Sequence, residues 1–136
     1  MSLPVRWDQT CLVGVQAMDD QHANIIELMS ELRFVLANGA DRKRIDKLMS
    51  DLIHSARLHF KSEEHLMAQY KFPGLAVHRA EHGRILSRLD GSAHRLHHGD
   101  PVERDELVLF MYNWFVDQVK GFDKQYGVWL NERNVF

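Results

Sequence analysis

The chain has 136 residues, a formal net charge of −2, 45% hydrophobic residues and a single cysteine. One domain over residues 1–136 with a real core is expected at this length, and the charge leaves no polybasic footprint for nucleic acid or an anionic membrane. Lone Cys11 excludes an internal disulfide framework, and no apolar run approaches the roughly 18 residues of a membrane-spanning helix. The first residues, broken by Pro4, Arg6 and Asp8, hold no apolar leader segment. A cytoplasmic location without membrane insertion is the expectation. Nine histidines are many for this size and raise the question of a metal.

Residues 1–18 carry Trp7, Leu12, Val13, Val15 and Met18 around Gly14, and read as an irregular arm packing onto the domain. Asp19 suits an N-cap, after which His22, Ile25, Ile26, Met29, Leu32 and Leu36 form a 3.6-period stripe ending at Asn38-Gly39. Asp41 can cap a second helix, with Ile45, Leu48, Met49, Leu52, Ala56, His59, Glu63, Leu66 and Met67 in register. His59 and Glu63 therefore face the core. This helix stops near Tyr70, before Phe72-Pro73-Gly74.

A third helix turns Leu75, His78, His82, Ile85, Leu86 and Leu89 inward and ends by His98-Gly99. Asp100-Pro101 is an N-cap with proline at the first helical position. The fourth helix presents Leu107, Val108, Met111, Trp114, Phe115, Gln118 and Phe122. Tyr126 and Trp129 fall in a short terminal helix over the bundle end. The expected architecture is all-α: an up-down-up-down four-helix bundle with an irregular N-terminal arm and a short C-terminal helix.

Two i, i+4 pairs carry the chemistry, His59/Glu63 and His78/His82. Residues four apart lie one turn above each other on a helix, so each pair can aim two donors at one ion. The bland alternative is surface residues or satisfied core polar groups. Burying four ionisable side chains costs several kcal/mol without a compensating partner, and a metal is such a partner. Histidine and carboxylate without thiolate suit iron or manganese better than zinc. His22 and Asp123 are weaker candidates taken singly. His54, His65, His94, His97 and His98 lie off the stripes or at a helix C-terminus and read as surface residues.

Asp19-Asp20-Gln21-His22, His59-Phe60-Lys61-Ser62-Glu63-Glu64, the span from His78 to His82, and Trp114 followed by Asp123 together resemble a bacterial haemerythrin. Trp7 and Val13-Gly14-Val15 match that family's arm, so the resemblance covers essentially the whole chain. It implies a four-helix bundle that binds O2 reversibly at a non-haem di-iron centre. By that resemblance His22 and His59 hold the iron with an open position for O2. His78 and His82 hold the other iron, and Glu63 and Asp123 bridge the two. O2 is the implied ligand; no protein partner is assigned.

One position departs from the family pattern. A further histidine is expected five residues before the bridging aspartate, where this chain has Gln118, a candidate ligand or hydrogen-bond partner. Residues five apart do not share a face of a regular α-helix, so a π-bulge or unwinding near Gly121 is required if both Gln118 and Asp123 reach the centre. Ile25, Ile26, Phe60, Trp114 and Phe115 are placed to line a dry O2 pocket, with plain core packing as the alternative reading.

No nucleophile–base pair, phosphate loop or dinucleotide fingerprint is present. The expected function is reversible O2 binding by a carrier, store or supplier, made atypical by Gln118, and not enzymatic turnover. Two alternatives from other classes are a di-iron oxidase or peroxidase and a stand-alone iron- or O2-sensing module.

Overall fold

The computed structural model describes residues 11–39, 41–98 and 101–136. Trp7 and the Asp100 cap lie outside the described residues. Within them the chain forms α1 (Gln16–Ala37), α2 (Arg42–Gln69), α3 (Leu75–His98), α4 (Pro101–Gln118), a π-helical segment (Val119–Asp123) and α5 (Lys124–Asn131). Helix α1 packs on α2, α2 on α3, α3 on α4 and α4 back on α1, which closes a four-helix bundle. The expected all-α architecture is the one observed.

Each helix boundary has a local cause. Asp41 caps α2 as expected, its carboxylate accepting from the Arg44 N–H at 2.9 Å. The C-terminus of α2 closes as a Schellman motif: Phe72 N–H donates to the Met67 carbonyl and Lys71 N–H to that of Ala68. Lys71 sits at the left-handed position, φ +58°, where glycine is commoner.

Helix α1 differs from expectation. It starts at Gln16, so Asp19 lies inside its first turn and is not the N-cap. The Asp19 carboxylate instead reaches back to accept from the N–H groups of Val13 (2.8 Å) and Gly14 (3.2 Å). An acidic side chain there also suits the positive end of the helix dipole. At Val13 and Gly14 the arm also meets α5. Gly127 is required where the arm crosses, because a Cβ there would stand 2.1 Å from the Val13 carbonyl oxygen. Asn131 donates to the Gly14 carbonyl at 2.9 Å.

The core divides along the bundle axis. Met29, Leu32, Ile45, Met49, Leu52, Ile85, Leu89 and Leu96 are buried toward one end. Toward the other end the buried stripes change to His22, His59, Glu63, His78, His82 and Asp123. A polar cluster this deep calls for mutual pairing or a bound cation.

The short C-terminal helix is present as α5, and no turn precedes it. Gln118 and Lys124, which flank the π segment, both have right-handed helical backbone, so α4, the π segment and α5 form one unbroken rod. The π segment spans Gly121, where the sequence spacing required a bulge or an unwinding.

Candidate metal centre

Four helical stretches deliver the site. Helix α1 supplies His22; α2 supplies His59 and Glu63 one turn apart; α3 supplies His78 and His82 one turn apart; the π segment supplies Asp123. All six are buried, His22 and Glu63 completely. Their donor atoms fall into two groups, His22–His59–Glu63–Asp123 and Glu63–His78–His82–Asp123, each with all donors within 4.8 Å of one another.

The two carboxylates are common to both groups and divide their oxygens between them. Glu63 Oε1 lies 3.2 Å from His22 Nε2 and 2.5 Å from His59 Nε2. Its Oε2 lies 3.0 Å from His82 Nε2 and 4.0 Å from His78 Nε2. Asp123 does the same, with Oδ2 3.2 Å from His22 Nε2 and Oδ1 3.0 Å from His78 Nε2. Four imidazole Nε2 atoms thus converge on two doubly facing carboxylates.

The rings on α2 and α3 are held from behind. His59 Nδ1–H donates to Gln21 Oε1 at 2.6 Å, and His82 Nδ1–H donates to Glu64 Oε2 at 3.0 Å. Glu64 is fixed in turn by Arg79 Nε, 2.9 Å from its other oxygen. A proton on Nδ1 leaves the Nε2 lone pair facing the centre, the tautomer a metal requires.

The electrostatics are those of a cation site. Burial opposes a charged His22, but hydrogen bonds to Asp123 and Glu63 and their negative charge overcome it and raise its pKa from 6.5 to about 9. His82 is raised against its burial by Glu63 and Glu64. Burial would push the Glu63 carboxyl up, yet the charge of His59 and hydrogen bonds from His22 and His82 hold it well below its usual value. His59 Nε2 approaches Glu63 Oε1 closely but makes no hydrogen bond. A donor set of imidazole and carboxylate without thiolate fits iron.

The chain surrounds the centre with rings. Phe60 stacks on His82 with centroids 4.1 Å apart, and Phe115 meets His22 edge-on at 5.9 Å. Ile25 and Ile26 are buried on α1 beyond His22. Trp114 stands apart from the expected lining: it is half-buried and packs beneath the Arg88 guanidinium, 5.9 Å from its ring centroid. Gln118 is buried at the start of the π segment, and its Nε2 has no hydrogen-bond partner.

Several contributors were not singled out by the sequence reading. Phe72, Phe122 and Tyr126 pack edge-on around His78 at 6.2, 5.9 and 5.2 Å. Burial and the charges of Glu63 and Asp123 keep the Tyr126 phenol well above its usual pKa, so it stays neutral. Gln21 and Glu64 adjoin His22 and Glu63 in sequence. The rule that a ligating histidine hands its second N–H to an acceptor could have flagged them. Of the remaining histidines, His54, His65, His94 and His98 are exposed and His97 is half-exposed, as expected. Glu81 is buried but pairs with Arg84.

The sequence of residues 13–130 matches the family described as “Hemerythrin HHE cation binding domain”. The chain belongs to the haemerythrin family. It is 31% identical over 113 residues to a bacteriohemerythrin of Methylococcus capsulatus, covering 83% of this chain and 86% of that one. It is 25% identical over 123 residues to a myohemerythrin of Riftia pachyptila, covering 90% and 91% of the two chains. A crystal structure of wild-type hemerythrin superposes with a TM-score of 0.78 at 27% identity, covering 91% of this chain and 95% of that one. Haemerythrins are O2-binding proteins with a non-haem di-iron centre, and this chain has the His, Glu and Asp groups that could hold such a metal pair. Among the described residues no helix is long and apolar enough to cross a membrane.

Proposed function

We propose that this chain binds O2 reversibly at two iron ions, one held by His22 and His59, the other by His78 and His82, with Glu63 and Asp123 shared between them. The observation that carries this reading is the division of each carboxylate's two oxygens between two separate histidine pairs. A single-metal site has no use for two such carboxylates. When bound, the iron pair supplies the electrons that make O2 binding strong and the back-transfer that makes it reversible.

The chain's own residues do the rest. Gln21 and Glu64 hold the His59 and His82 tautomers that present Nε2. Phe60, Phe115, Ile25 and Ile26 remove water from the surroundings, which slows the proton-dependent loss of reduced oxygen that leaves ferric iron behind. Tyr126, kept neutral, places an undissociated phenol near the carboxylates.

The test is the visible spectrum of anaerobically iron-loaded protein through repeated additions and removals of O2. A charge-transfer band that appears with O2 and vanishes on degassing is the expected result. A single irreversible conversion to a ferric spectrum would overturn the carrier reading in favour of a redox enzyme or a sensing module.

A further inference from the structure

We propose that the di-iron centre carries, besides the position for O2, a second exchangeable position for a small anion, and that the Gln118 side-chain amide donates a hydrogen bond to that anion. This rests on the di-iron reading above and adds a second external ligand to it.

The first argument is the donor inventory. Each of the two groups consists of two imidazoles and the same two carboxylates, so the metals are equivalent in protein donors. Two histidines with carboxylate are the kind of set that leaves positions open on iron. Nothing in the described donor groups completes one metal while leaving the other incomplete.

The second argument is Gln118. Its side chain is 7% exposed, and its Nε2 finds no hydrogen-bond partner. Amide nitrogen has two N–H donors and no lone pair to offer a metal. A buried donor of this kind is nearly always matched to an acceptor, and a ligand can supply one where the protein does not.

The third argument is placement. Gln118 caps the π segment, and Asp123 ends it. Hydrogen bonding from i to i+5 in a π turn brings residues five apart toward one face. Both residues are buried, whereas Lys120 and Gly121 between them are exposed. The Asp123 carboxylate on that face meets His78 Nε2 at 3.0 Å through Oδ1 and His22 Nε2 at 3.2 Å through Oδ2. The amide therefore belongs to the face of the centre that Asp123 closes.

The charge balance selects the ligand class. Two carboxylates neutralise only part of the charge of two iron ions, and the four imidazoles bind neutral, so an anion is favoured. The enclosing aromatic rings limit it to a few atoms, such as azide, fluoride, cyanide or hydroxide.

The experiment titrates sodium azide into the two-iron ferric protein, following the azide-to-iron charge-transfer band and the heat of binding, with iron per chain measured on the same sample. Two azides per chain are expected for the wild type. Gln118→His should reduce this to one, because imidazole fills the position. Gln118→Leu should keep two but weaken the second roughly tenfold, the usual consequence of losing one hydrogen bond to a charged group. A single azide per iron pair in the wild type, as when Gln118 itself ligates through Oε1, overturns the inference. So does an unchanged second affinity in a folded Gln118→Leu. Fewer than two irons per wild-type chain overturns the di-iron reading and this inference with it, whereas full loading with one azide overturns only the inference.

Discussion

His78 Nε2 stands 3.0 Å from Asp123 Oδ1, and this contact depends on the extra residue in the π turn that ends at Asp123. A regular α-helix advances about 100° per residue, so removing one residue from that turn swings everything beyond it away from the centre. Deleting Gly121, which is exposed and meets nothing at its Cβ position, is expected to withdraw Asp123 from both histidine pairs. Iron bound after reconstitution should fall below two per chain. Retention of two irons would refute the bridging role of Asp123.

Glu64 fixes His82 and is itself fixed by Arg79. Glu64→Ala removes a half-buried carboxylate that does not face the metal site. Loss of such a support typically costs about 10–100-fold in metal affinity. Equilibrium dialysis should show the weaker of two iron affinities dropping by that factor while the helical circular dichroism is unchanged. Equal affinities in variant and wild type would leave Glu64 as a surface partner of Arg79 only.

Stability should respond to pH in opposite senses with and without iron. His22 is raised from 6.5 to about 9 in the metal-free fold, and His82 is also raised. The stabilisation from His22 is fully present below pH 6.5 and fades as pH rises through about 9, and that from His82 is likewise lost as pH rises above its ordinary value. For His22 the amount is on the order of a few kcal/mol. Glu63, held low, adds stability above its unfolded value that is lost as pH falls. The iron form needs neutral imidazoles, and acid releases the metal. Melting temperatures between pH 6 and pH 9 should therefore fall for the chelator-treated protein and rise for the iron-loaded one. Parallel curves would contradict the assignment.

Two glycines on the helices should answer alanine with opposite signs. Gly127 has no room, with the Val13 carbonyl oxygen 2.1 Å from its would-be Cβ. Gly127→Ala should push the arm from α5 and destabilise by about 1–3 kcal/mol, as overpacking does. Gly83 is exposed and meets nothing, so Gly83→Ala should stabilise by about 0.5–1 kcal/mol through helix propensity. Urea unfolding reads both. A neutral Gly127→Ala would mean that the arm is not held there.

The periodicity of the chain was enough to determine four amphipathic helices, because the apolar spacing, the Asp41 cap and the Phe72-Pro73-Gly74 break act within a few residues of themselves. It also determined that His59, Glu63, His78 and His82 face inward, since they share a stripe with Leu52, Ala56 and Ile85. The spacing between Gln118 and Asp123 further required a departure from α-helix, which the π segment supplies.

Tertiary structure decided what no local pattern carries. Glu63 splits its oxygens between α1 and α3, the Glu64 carboxylate serves a histidine on another helix, and the rings of Phe72, Phe122 and Tyr126 enclose His78. The first turn of α1 also begins earlier than Asp19 alone implied. The arm crosses α5, and the Asp19 carboxylate is drawn back to satisfy that arm's N–H groups. Such contacts join residues far apart in the chain, and their geometry depends on how the helices pack.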